Sequence, residues 1–205
     1  MYVNNSVNSV LLKEERVMNK NILIVGVGGQ GTLLASRILG QLAVDKGLDC
    51  KLSEVHGMSQ RGGSVVTNVK IADKVLSPII GLNDADIILA FEQLEAIRYT
   101  NYLKKGGVIV VNTQKIMPMP VIIGARDYPD NIIPELEKRC KVVAVNALDI
   151  ANEIGSVKCV NVVMIGALAK QLGLTFEEID NALKQTIKPN LYELNRKALE
   201  KGYNL

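Results

Sequence analysis

Tryptophan is absent from this 205-residue chain, and aromatic side chains make up only 4% of it. A core must therefore come from Val, Ile, Leu and Ala, and with hydrophobic residues at 48% there are enough of them without disulfide support. Paired cysteines are also missing. Cys50, Cys140 and Cys159 stand far apart with no CxxC among them. That spacing excludes an iron–sulfur cluster or structural zinc read from cysteine pattern, so no metal site is expected. An odd, scattered set of thiols fits a reduced, cytoplasmic protein. Net charge is only +3, with both signs interspersed, which leaves no broad footprint for nucleic acid or a membrane surface. No apolar run approaches the roughly 20 residues that span a bilayer. The N-terminus, MYVNNSVNSVLLKEERVMNKN, lacks a signal-peptide core and cleavage site.

What is present reads as one domain. Residues 1–17 carry no periodicity that joins the fold. They are expected to be a translated leader preceding a natural start at Met18, or a genuine short arm. Residues 18–205 form the domain. Asn21–Val25 is a short apolar run ending at Gly26, a buried strand. Leu34, Ile38 and Leu42 recur at helical spacing and Gly47 closes that helix. Cys50–Val55 is the second strand, completing a βαβ unit with right-handed crossover. Ser64–Ile71 alternates, with Val65, Thr67, Val69 and Ile71 on one face. Ala85–Phe91 and Gly107–Asn112 are buried strands joined by a helix from Gln93 to about Leu103. Val121–Ile123 is expected as an edge strand and Lys141–Asn146 as a last core strand. Val160–Leu172 is apolar almost all round, an interior helix. Thr175–Glu178 is a capping box, and Asn190–Lys201 is a final amphipathic helix. The expected fold class is α/β: Rossmann-like, doubly wound, with a mainly parallel sheet and a helical C-terminal third.

Two motifs carry chemistry. Gly26-Val27-Gly28-Gly29-Gln30-Gly31 satisfies G-x-G-x-x-G between a strand and a helix. There glycine lets the backbone turn tightly and lets a phosphate approach helix N–H groups. Glu54, near the end of the second strand, falls where a ribose-binding acid would lie. The alternative is that these glycines serve only helix–strand packing. The second motif, His56-Gly57-Met58-Ser59-Gln60-Arg61-Gly62-Gly63, is a loop at the carboxyl end of a strand, where open α/β sheets bind ligands. Arg61 suits a phosphate, a carboxylate or a subunit contact, or is an exposed loop residue. His56 and Ser59 offer polar contacts, and a lone histidine is no basis for assigning proton transfer, so no catalytic residue is expected in this chain. Asn161 opens an apolar helix, where helix capping is preferred over ligand contact.

Together with Val160-Asn161-Val162-Val163, these two motifs resemble the indolepyruvate branch of the 2-oxoacid:ferredoxin oxidoreductase gamma-type subunits, the beta-subunit family of indolepyruvate ferredoxin oxidoreductase. The likeness runs from about Lys20 to Gly202. The G-G-Q-G turn is shared across those subunits, whereas H-G-M-x-Q-R-G-G marks the indolepyruvate branch. The resemblance implies a small subunit, inactive alone, of an enzyme converting an arylpyruvate, coenzyme A and oxidised ferredoxin into aryl-acetyl-CoA, carbon dioxide and reduced ferredoxin. It implies a large partner subunit carrying thiamine diphosphate and iron–sulfur clusters, with ferredoxin reached through that subunit. Consistent with this division, the chain has neither a G-D-G thiamine motif nor cluster cysteines. Coenzyme A would be a co-substrate at the interface. The residues implied to contact it are Gly26, Gly28, Gly29, Gln30, Gly31, His56, Ser59, Arg61, Gly62 and Gly63, with Lys70 as a further cation. The residues alone leave two other readings open: a stand-alone NAD-dependent oxidoreductase and a non-catalytic nucleotide-binding module.

Overall fold

A computed structural model describes residues 18–57 and 62–205; the expected leader, 1–17, lies outside them. The order is β1 (Lys20–Val27), α1 (Thr32–Asp45), β2 (Asp49–His56), β3 (Ser64–Ala72), β4 (Ala85–Ala90), α2 (Gln93–Arg98), β5 (Leu103–Asn112) and α3 (Met119–Ile122). It continues with α4 (Ile132–Glu137), β6 (Lys141–Val145), α5 (Ala147–Ile154), α6 (Val160–Leu172), α7 (Phe176–Thr186) and α8 (Pro189–Tyr203). The six strands form one sheet in the order β2-β3-β1-β4-β5-β6. β1, β4, β5 and β6 pair in parallel, while β3 runs antiparallel to both β1 and β2. The sheet is thus mainly parallel and the fold α/β, as its sequence pattern implies.

Alternation along the strands builds two cores. Ile22, Ile24, Val69, Ile71, Leu89 and Val110 belong to a core covered by α1 and α6, on which α7 and α8 pack, while Leu23, Val25, Ile88, Ala90, Ile109 and Val111 face α2 and α4. α1 therefore leaves β1 over one face and α2 leaves β4 over the other. Their strands are neighbours, so the carboxyl ends of β1 and β4 flank a topological switch point, the crevice where such sheets bind ligands. α6 lies in the first core with Val162, Val163, Ile165 and Leu168 buried. It meets α8 backbone to backbone. A Cβ on Gly166 would strike the Leu199 carbonyl, and one on Gly202 would strike the Val163 carbonyl.

Several expectations need correcting. β2 is not β1's neighbour, because β3 folds back between them. Residues 121–123 are not an edge strand. Met119–Ile122 forms a short helix whose first turn accommodates Pro120, and the Val121 and Ile122 amides donate to the Pro118 carbonyl. The helix after β4 ends at Arg98; a 3₁₀ turn, Thr100–Tyr102, follows, and Leu103 already belongs to β5. β6 lies at the sheet's edge rather than in its core, with only Val145 fully buried. Asn161 does not cap α6. Cys159 is the N-cap, and the Asn161 side chain lies inside the first turn. The capping box holds: Thr175 accepts from the Glu178 amide, and Glu178 accepts from the Thr175 amide. Among the described residues no helix is long and apolar enough to cross a membrane.

Candidate functional site

The glycine-rich turn is a locked structure, and most of the locking falls to Gln30. Its Oε1 accepts the Val27 amide at 2.7 Å and its Nε2 donates to the Phe91 carbonyl at 2.9 Å, so one side chain ties the end of β1 to the end of β4. Gly26 makes this possible. A Cβ there would lie 3.0 Å from Gln30 Oε1 and 3.1 Å from Phe91 Cβ. Gly29 (φ 101°) and Gly31 (φ 86°) hold left-handed conformations that a side chain would strain. Gly31 is the N-cap of α1 and contributes no side-chain cap, and no acidic residue occupies the helix's first turn. In the first turn of α1 the Leu34 amide donates to the Gly31 carbonyl at 3.1 Å, while the Thr32 and Leu33 amides meet no backbone acceptor among the described residues, so this end carries concentrated partial positive charge.

The last two glycines of the second motif bond to the first. The Gly28 amide donates to the Gly63 carbonyl at 2.8 Å, and the Gly62 amide donates to the Gly28 carbonyl at 3.4 Å, carrying the β1–β3 pairing beyond Val27 and Ser64. The Gly28 N–H is therefore engaged by backbone rather than presented to a ligand. Ser59 and Arg61 lie outside the described residues. A cavity of about 370 Å³ remains, lined by Gly28, Gly29, Gly31, Thr32, Leu33, Glu54, His56 and Val65. Glu54 Oε2 accepts from the Thr67 hydroxyl at 3.1 Å and the Thr32 hydroxyl at 3.4 Å. Exposed His56 places Nδ1 2.9 Å from the Gly57 carbonyl. The cavity thus offers helix amides on one wall and a carboxylate on another, which suits a ligand bearing both an anionic group and hydroxyls. Lys70 is not brought here. It pairs with Asn21 near the far end of β3 and holds Asp84 at 3.2 Å.

Across the crevice, buried acids organise the end of β4. Glu92 caps α2 by accepting the Glu95 amide at 3.1 Å, and it also accepts the Ile116 amide at 3.1 Å and the Tyr128 hydroxyl. Glu95 accepts from the Ser64 hydroxyl and pairs with Arg98 at 3.3 Å. Burial pushes the Glu95 carboxyl above its ordinary value, and Ser64 and Arg98 offset that only in part. Burial, with the Glu92 contact, likewise raises the Tyr128 phenol. Ser64 and Glu95 stand 31 positions apart and share no motif; they meet because β3 pairs with β1 and β1 with β4. A larger cleft of about 1130 Å³ lies at the opposite end of the sheet. Lys46 there pairs with Glu178, and Lys141 donates to the Gln171 amide oxygen. Among the described residues no three His, Cys, Asp or Glu side chains converge as a metal site would require.

Comparison with known proteins places this geometry. Residues 21–205 match the pyruvate ferredoxin/flavodoxin oxidoreductase family. Indolepyruvate oxidoreductase subunit IorB of Archaeoglobus fulgidus is 44% identical over 192 residues, covering 91% of this chain and 95% of that protein. The gamma subunit of a keto/oxoacid ferredoxin oxidoreductase from Geobacter sulfurreducens superposes with a TM-score of 0.67 at 26% identity, covering 90% and 96% of the two chains. A 2-oxoglutarate:ferredoxin oxidoreductase from Magnetococcus marinus, solved with 2-oxoglutarate, coenzyme A and succinyl-CoA bound, shares the fold at a TM-score of 0.67 and 18% identity. This chain covers 31% of that polypeptide, and 91% of this chain is matched. The chain therefore belongs to the pyruvate ferredoxin/flavodoxin oxidoreductase family, as a small subunit of a 2-oxoacid:ferredoxin oxidoreductase.

Proposed function

We propose that this chain works with a large thiamine- and iron–sulfur-bearing subunit, in the cytoplasm, to convert an arylpyruvate such as indolepyruvate into the aryl-acetyl-CoA and carbon dioxide, with ferredoxin as electron acceptor. Its own task is to bind and position coenzyme A at the subunit interface; decarboxylation and electron transfer belong to the partner. One observation carries this reading: the two ends of the second motif, His56 and Gly62–Gly63, meet the glycine turn, His56 lining the cavity at the start of α1 and Gly62 and Gly63 bonding Gly28 beside it. The amides of that helix suit a phosphate. Glu54 suits a ribose hydroxyl, and a coenzyme A nucleotide has both groups. The fold neighbour from Magnetococcus marinus, which carries coenzyme A, supports the ligand class.

The test is reconstitution. The isolated chain should oxidise no 2-oxoacid, and adding the large subunit should give coenzyme A-dependent ferredoxin or viologen reduction with indolepyruvate or phenylpyruvate. Robust NAD reduction by this chain alone would sink the proposal. Arg61→Ala in the complex should cost about 1.5–3 kcal/mol if the guanidinium bonds a charged group of the ligand, roughly ten- to a hundredfold in apparent affinity. Arg61→Lys should restore only part of it. Gel filtration separates the competing role: dissociated subunits would make Arg61 an interface residue instead.

A further inference from the structure

Asn161 is the polar residue that the fold leaves unexplained. It sits in the first turn of α6, a helix otherwise buried through apolar side chains, and is itself 9% exposed. Other buried amides find partners: Gln93 donates to the Thr113 carbonyl, Asn68 accepts the Ile80 amide, and Asn112 donates to the Phe91 carbonyl. Asn161 does not. Its Oδ1 is fully buried and meets no donor among the described residues. A buried amide oxygen left unpaired is destabilising, and a leucine or valine would complete this apolar helix without that cost. Stability therefore does not account for the residue.

Its position suggests what does. The carboxamide is aimed at Gly31, the N-cap of α1. A Cβ on Gly31 would overlap the Asn161 amide nitrogen and lie 3.2 Å from its Cγ. The amide thus occupies the place of the side chain that residue 31 lacks, beside the first amides of a 14-residue helix whose start has no side-chain cap and no acidic neighbour in its first turn. We infer that Asn161 is a ligand-binding residue of the glycine-turn site, its Nδ2 joining the α1 amides as a donor to an anionic oxygen. The inference rests on the reading that coenzyme A binds here, and it extends the site to an element about 130 positions away along the chain.

The experiment uses the reconstituted complex, with apparent KM for coenzyme A, kcat, thermal midpoint, and calorimetric titration with desulfo-coenzyme A, which binds without turnover. Asn161→Ala should raise KM for coenzyme A at least tenfold with kcat within about twofold, weaken desulfo-coenzyme A to a similar degree, and leave the midpoint nearly unchanged, since no protein hydrogen bond is lost. Asn161→Asp keeps the shape but replaces donor with negative charge, so it should bind more weakly than the alanine variant. Asn161→Leu should hold or raise the midpoint while losing affinity like alanine. Lowered midpoints with unaltered coenzyme A binding would make Asn161 a packing residue and overturn the inference alone. A wild-type complex that binds no coenzyme A would overturn both this inference and the functional reading beneath it.

Discussion

Replacing Gln30 asks whether the most distinctive residue of the glycine turn serves the ligand or the fold. In Gln30→Ala the Val27 amide, inside a buried strand end, loses its acceptor at 2.7 Å. The Phe91 carbonyl loses the donor at 2.9 Å but keeps Asn112 Nδ2 at 3.2 Å. The cost is therefore dominated by one orphaned N–H, about 1–3 kcal/mol. For a chain of this length that corresponds to a fall in thermal midpoint of roughly 2–12 °C. Gln30→Glu preserves an acceptor for Val27 but sets a carboxylate oxygen against the Phe91 carbonyl. It should be worse than alanine at neutral pH and recover on acidification, because only the protonated acid can donate. Circular-dichroism melts of the isolated chain at pH 7 and near pH 5 read both effects without partner or substrate. An alanine variant that melts like wild type, yet weakens coenzyme A in the complex, would refute the lock and make Gln30 a ligand contact.

Two further perturbations test the scaffold. Gly202→Ala drives a methyl group into the Val163 carbonyl where α8 crosses α6; backbone cannot yield there as a side chain would, so a loss at the upper end of the usual 1–3 kcal/mol for overpacking is expected in the melt, and a native midpoint would disprove the close crossing. Burial raises the Glu95 carboxyl, so the folded chain holds that proton more tightly than the unfolded one. Stability is then greatest below the unfolded value and falls as pH climbs through the folded one. Glu95→Gln removes this dependence: its midpoint relative to wild type should rise from about pH 4 to pH 7, and a flat difference would contradict the assignment.

The readable parts of this chain were those in which one segment's composition decides the outcome. α6 has the bounds its apolar run implies, ending at Gly173 with φ 71°. The Thr175 capping box forms, and α1 is closed by Gly47 at φ 68°. Alternation in β3 revealed a strand and its buried face but not its partners, because period two says nothing about which neighbours pair. β3 lies between β1 and β2, antiparallel to both, and that pairing puts Gly63 against Gly28. Gly166 and Gly202, likewise, look unremarkable until two helices cross on them.

The same distinction divides the candidate site. G-x-G-x-x-G reads Gln30 as a variable position, yet Gln30 gives Gly26 its purpose, and Gly28 spends its amide on Gly63. Within the motif, Gly28, Gly29 and Gly31 still line the cavity, the last two by shaping the start of α1. A motif engaged this fully with its own fold can present a helix terminus to an anion, but it cannot choose among anionic ligands. On the coenzyme A reading proposed above, selection would fall to side chains outside it, Glu54 from β2 and Asn161 from α6. Subunits sharing the glycine turn can therefore differ in ligand contacts without altering the turn, and substitutions at Glu54 or Asn161 should change affinity where substitutions at Gly26 or Gln30 change stability.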